Sequence, residues 1–310
     1  LARVLFGQKG TGYWPLLLDQ TQSGNTQALL AGVPFEGRAL PLAVYTFDYP
    51  WLERAVDSQN QLERIFMLDV EEALPSGVHG VWIGDRGYAR AALLRQALTE
   101  ERFYVIRGRT GTCVEYQGQR LKLGQLHPRR NKAVRYSHVY YQAEARVPVD
   151  VIVVHDRHFK EPWWLLVPPD SADVLPTALV VRLYRQRMQI EHSFRDFKTH
   201  LGLRGLRLKV RVAERTGRLL LAFCLAYTLA VVLGNQAVAA RADLEIPRRR
   251  PRHGTTRTLS VLSVAMQVLV HPLWSRWALI HLRRIVRRIA RGQAVLAHPP
   301  PDLSALLIAK

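Results

Sequence analysis

The chain has 310 residues and a formal net charge of +19, from 44 Lys and Arg against 25 Asp and Glu, the electrostatic footprint of a polyanion binder. Its length allows two domains, or one large core with an insertion. Cys113 and Cys224 stand far apart without metal-ligand spacing, which speaks for a reducing cytosol and against both a disulfide scaffold and a structural zinc.

The first apolar run, residues 14–19, reads as a strand that closes on Asp19, with Gln20 and Thr21 following. Two more strand-like runs, 28–33 and 39–47, flank the polar turn Pro34-Phe-Glu-Gly-Arg38. A helical pattern covers 62–73. A short strand, 81–83, then closes on Asp85, and Arg86-Gly87-Tyr88 turns into a helix near 89–98. A carboxylate in such a place also serves as a turn or helix-cap residue, so that reading stays open for both acids. Asp48, before Tyr49-Pro50, reads as a loop or cap residue, and Asp69 as the solvent side of a helix.

Strand-like runs follow at 103–107, 112–116, 119–123, 136–143, 147–155 and 163–168, and we read most of them as an inserted β-subdomain. Pro176 suits the first turn of a long helix that runs to about His200, where Gly202 stops it. A basic stretch with Arg207 and Lys209 extends from Arg204 to Arg218. Residues 219–234 carry no charge. At sixteen residues they are short for a membrane span, which needs about 20, so they read as a buried core helix. The Arg-rich, Pro- and Gly-broken segment 248–257 reads as a linker, 259–269 and 275–291 as helices, and 299–310 as a tail. Residues 201–292 hold 18 Lys and Arg against 3 Asp and Glu. No charged-then-apolar signal peptide opens the chain, and no Walker-type loop or Ser-His-Asp elbow occurs in it.

The long helix carries the most specific feature, Tyr184, Arg187, Glu191 and Lys198. On a uniform helix Arg187, Glu191 and Lys198 fall roughly 60°, 20° and 40° to one side of Tyr184. A carboxylate between two cations and a phenol suits a divalent metal held against a phosphate. The same composition also describes a solvated salt-bridge stripe. Apolar neighbours such as Leu183, Ile190 and Phe194 wrap the segment and favour a partly buried helix lining a cleft.

The spacing Tyr-x2-Arg-x3-Glu-x6-Lys resembles the Tyr-Arg-Glu-Lys motif of DDE transposases of the insertion-sequence-4 type, and Gly84-Asp-Arg-Gly-Tyr88 resembles their second acid motif. The resemblance implies an α/β fold, a ribonuclease-H-like mixed sheet with an inserted β-subdomain and a helical C-terminal region. It divides the chain into 1–100 and 171–235 as the two parts of the core, 101–170 as the insertion, and 236–310 as basic linker and C-terminal helices. It implies Asp19, Asp85 and Glu191 as catalytic ligands of two Mg2+ ions, with Mn2+ as a substitute. Tyr184, Arg187 and Lys198 would hold phosphates, with Arg207 and Lys209 as further DNA contacts. Trp163, in Trp163-Trp-Leu-Leu166, matches a tryptophan that stacks on a flipped base in hairpin-forming members. The implied partners are double-stranded DNA, at transposon ends and target, and a second copy of the chain in a synaptic homodimer, with no membrane. The implied place is the cytoplasm, on the nucleoid. The family's usual N-terminal DNA-binding region is expected to be missing from this chain. Two rival readings are a ribonuclease-H-like nuclease without strand transfer and a catalytically inactive DNA-binding remnant.

Overall fold

A computed structural model describes residues 2–7, 9–23, 25–49, 58–128, 132–155, 161–200, 213–242 and 259–296. A short helix α1 (Ala2–Phe6) leads into β1 (Lys9–Ser23), β2 (Thr26–Phe35) and β3 (Arg38–Asp48), two successive antiparallel hairpins. Helix α2 (Gln59–Glu72), β4 (Ser76–Gly84), helix α3 (Ala91–Thr99) and β5 (Phe103–Arg107) complete the first half of the core. Strands β6 (Cys113–Tyr116), β7 (Gln119–Lys122), β8 (Val134–Tyr141), β9 (Val147–Val154) and β10 (Trp163–Val167) follow. All ten form one sheet in the order β3-β2-β1-β4-β5-β10-β9-β8-β6-β7. Strands β1, β4 and β5 run parallel, and every other pairing is antiparallel.

This is a mixed sheet of the ribonuclease-H-like DDE kind, as the resemblance implies. Strands β5 and β10 are direct neighbours, so β6 to β9 leave the core after one strand and return at the next. They prolong the same sheet outward. β5 itself pairs in parallel with β4.

The sequence explains the covered faces. In β2 the run Ala28-Leu-Leu-Ala-Gly-Val33 is buried throughout, the mark of a strand covered on both sides. One face receives α2, where Phe66 meets Tyr45 of β3 at 5.1 Å. The other receives α5 (Met188–Thr199), which packs on β1, β2 and β3, and α6 (Ala213–Ala239), which packs on β2 and β3. Helix α4 (Thr177–Gln186) lies against β5 and β9. Two C-terminal helices, α7 (Val261–Val270) and α8 (Ser275–Ala290), pack on α6. A Cβ on Gly234 would collide with the Val261 carbonyl oxygen, so glycine lets α6 and the start of α7 touch backbone to backbone.

Several expected boundaries move. Strand β1 extends to Ser23 because its hairpin with β2 continues past the end of β4, so Asp19 lies inside a strand. The apolar helix expected at 219–234 spans Ala213–Ala239, its first turns prolonged by a Glu214–Arg218 pair. Among the described residues α6 is the one helix long and apolar enough to cross a membrane, but its buried side packs on the sheet and on α7. The helix expected to run unbroken from 176 to 200 divides at Arg187 into α4 and α5. There Arg187 N–H bonds to the Tyr184 carbonyl and Ile190 N–H to the Arg187 carbonyl, three-residue steps that tighten the turn. The expected linker at 248–257, most of the basic stretch including Arg207 and Lys209, and the tail at 299–310 lie outside the described residues.

Candidate active site

Two of the acids are brought together by strand register. From Trp14↔Gly80 to Leu17↔Ile83, β1 and β4 pair with a constant offset. The pairing stops there, two residues before Asp19 on β1 and two before Asp85 at the end of β4, and Asp85 is close enough to Asp19 to act on its charge. Strand β4 ends at Gly84, whereas β1 stays paired to β2, with Asp19 opposite Leu30. The strands therefore part just where the two acids stand, at the carboxyl ends where open α/β sheets hold their ligands.

Alternation along β1 decides the side. Gln20 accepts a bond from Gln59 of α2 at 3.1 Å, so Asp19 points to the opposite face, toward α5. Asp85 holds a tight turn: its Oδ1 accepts from the Gly87 N–H at 2.7 Å. It does not cap the next helix, because Arg90 is the residue before α3.

Helix α5 supplies the third acid. On its far side Ser193 donates to the Ala39 carbonyl at 3.1 Å and accepts from Ala39 N–H at 2.9 Å, bonds that tie the helix to β3. Buried Asp196 pairs with Arg38 of β3 and accepts a bond from Tyr227 of α6. Ser193 and Asp196 sit roughly 200° and 140° around the helix from Glu191, so anchoring one side presents Glu191 on the other. Glu191 and Lys198, two turns apart, line a cavity of about 340 Å3 together with Asp19, Thr21, Phe194 and Arg195.

The tightened turn at Arg187 divides the expected stripe of four. Tyr184 is buried and meets Trp163 edge-to-face at 4.9 Å, behind the cavity. The Arg187 guanidinium bonds to Glu191 and stands 3.6 Å from the Asp19 carboxylate. Trp163 and Trp164 point to opposite faces of β10, and Trp163 is the one on the α4 side. Both are buried, and the Trp164 indole donates to the Leu126 carbonyl at 2.8 Å. In this conformation neither ring is open to a base.

The chain matches the family model described as transposase DDE domain over residues 63–229. It belongs to that family. The match takes in Asp85 and Glu191 and begins downstream of Asp19. No curated protein matches the chain. The transposase domain is thus a DNA-acting module for transposition, and enzymes of this family generally use divalent metal ions.

The donor chemistry of the transposase site suits such an ion. Asp19, Asp85 and Glu191 offer hard oxygen ligands alone. Burial raises the Asp19 carboxyl to about 6. The Gln20 N–H and Arg187 oppose that rise, and Asp85 and Glu191 reinforce it. A carboxylate held out of water among like charges is short of positive charge. Arg187 is its only cation among the groups that set this value. Among the described residues no three His, Cys, Asp or Glu side chains form a ready metal-binding group. Arg187 stands between Glu191 and Asp19, and the three acids do not close on one point.

The rival acids do other work. Asp48 accepts from the Thr26 hydroxyl at 2.9 Å, and Asp69 accepts from Tyr45 on the α2 side. The sequence reading missed the anchors Ser193, Asp196 and Tyr227, whose bonds join residues distant in sequence. Their only local signal is a Ser and an Asp three residues apart, opposite Glu191 on the helix.

Proposed function

We propose that this transposase cleaves DNA strands at insertion-sequence ends and transfers them to target DNA, with Asp19, Asp85 and Glu191 as its catalytic carboxylates. The observation that supports the reading is the cavity lined by both Asp19 and Glu191, with Asp85 near enough to act on the Asp19 carboxyl. Its type would be that of insertion sequence 4, from the spacing of Tyr184, Arg187, Glu191 and Lys198. The division into core, inserted strands 101–170 and C-terminal helices, the synaptic homodimer and the nucleoid location belong to the same proposal.

The three acids would hold two Mg2+ ions. When bound, these supply Lewis-acid activation at the attacking and leaving oxygens. Asp19 holds a proton more readily than an ordinary carboxylic acid, so it would release one as the site fills. Arg187, now the counter-charge of Asp19 and Glu191, would engage phosphate oxygens together with Lys198. Tyr184 would support Arg187 from behind, with its ring centre 6.0 Å from the guanidinium.

The test uses duplexes that carry the DNA flanking the transposase's own coding region. The wild-type chain should nick them in Mg2+ and join the freed 3′ ends to a plasmid, while Glu191→Gln binds them without nicking. Wild-type-like nicking by Glu191→Gln would remove that residue from the catalytic set. Nicking without joining would leave a nuclease.

A further inference from the structure

We infer that the groove between α6 and α8 is a second DNA-binding surface, one that grips the sugar-phosphate backbone irrespective of sequence. The inference rests on the reading of the chain as a transposase and concerns a surface outside the acidic site. The groove is a cavity of about 650 Å3 whose α8 wall carries Arg284, Arg287, Arg288 and Arg291. Its floor is the buried Ile285, and its α6 wall is low because Ala239 and Ala240 have short side chains. Trp277 and His281 stack at 3.8 Å at one end of it.

The charge there has no acidic partner among the described residues. The sequence has no Asp or Glu between Glu245 and Asp302, and none of the four arginines makes an ion pair among the described residues. On and around the sheet several arginines are paired. Arg38, Arg90, Arg102, Arg135 and Arg187 each hold a carboxylate. Four like charges kept on one wall repel one another, and a polyanion relieves that repulsion. Arg284, Arg288 and Arg291 follow one helix face over about 10 Å of axis. That length matches roughly three phosphates of one strand at 3.4 Å each. Guanidinium groups match phosphate oxygens in pairs, and the half-buried rings at the end offer sugars and bases a flat apolar contact.

Arg276 and Arg283 lie on the same helix but outside the groove, and they supply the control. Binding of the full chain to a random-sequence duplex is measured by fluorescence anisotropy at several salt concentrations, with circular dichroism as a check on folding. The double variant Arg284→Gln/Arg288→Gln should bind about tenfold more weakly, with a salt slope lower by about 2. The double variant Arg276→Gln/Arg283→Gln should lose clearly less. Equal losses in the two double variants would overturn the groove and leave diffuse charge. Preference of the wild-type chain for anionic phosphatidylglycerol vesicles over the duplex would overturn it as well. A wild-type chain that never nicks end DNA, yet binds through the groove as described, defeats the catalytic reading and leaves this one standing.

Discussion

Two carboxylates set against opposite faces of one sheet, Glu63 and Asp19, have opposite surroundings. Glu63 on α2 is fully enclosed, pairs with Arg90 and accepts a bond from Gln59 at 2.8 Å. Asp19 on β1 keeps 17% of its side chain exposed, and it has one backbone bond, from Gln20 at 2.8 Å, one guanidinium at 3.6 Å shared with Glu191, and two acids nearby. Burial raises the carboxyl pKa of both. Glu63 has a complete set of partners and belongs to the architecture. Asp19 has an incomplete set, as a group does when its missing partner arrives from outside. The pairing of a buried charge, more than its burial, separates a structural acid from a functional one.

Substitution by the uncharged amide should break the comparison most visibly. Glu63→Gln leaves Arg90 facing a neutral group and should cost about 2 to 3 kcal/mol, less than a fully enclosed pair because Arg90 is partly exposed. Asp19→Asn removes a charge that burial and two neighbouring acids disfavour, so it should leave the melting temperature of the metal-free chain equal or higher. Chemical denaturation of both variants checks the pair. A destabilised Asp19→Asn would place Asp19 with the structural acids.

A smaller effect should appear with pH. The folded Asp19 carboxyl titrates near 6 and the unfolded one near 3.8, so the folded state binds the extra proton. Its contribution to stability is present below about 4 and is lost as the pH rises through about 6. In metal-free buffer the chain should therefore lose stability between pH 4 and 6. Glu63, also raised, adds to the same trend. Asp19→Asn should flatten the curve, and saturating Mg2+ should do the same by displacing the proton. A slope unchanged in Asp19→Asn would assign the whole effect elsewhere.

The smallest change is expected at Tyr45. Its hydroxyl bonds to Asp69 near the surface, and that bond pushes the phenol up to about 12. Tyr45→Phe should cost under about 1 kcal/mol in denaturation and leave DNA nicking intact. A measurable loss of nicking would bring Asp69 back as a rival to Asp19.

Much of this could be read from residue order. The apolar runs of β2, β9 and β10, the turn after Asp85 and the two C-terminal helices are local patterns, and local patterns depend on neighbours a few residues away. The break at Arg187 was not legible. The motif spacing suits a uniform helix, and no Pro or Gly marks the place where the turn tightens. The burial of both tryptophans of Trp163-Trp-Leu-Leu166 was equally hidden, because an aromatic pair reads alike whether it fills a core or faces a groove.

What the sequence determined by itself is the chemistry present: three acids and their order, a basic excess concentrated after residue 200, and the elements that carry them. Only the tertiary structure decided which charges meet. It brought Asp85 near Asp19 through strands whose pairing runs to Leu17↔Ile83. It turned Glu191 toward them by anchoring the far side of α5 on Arg38, Ala39 and Tyr227. It also left Arg284, Arg287, Arg288 and Arg291 without an ion pair among the described residues. The reason is one of range: propensity and periodicity act along a few residues of chain, whereas charge pairing acts through space between segments that only folding brings together.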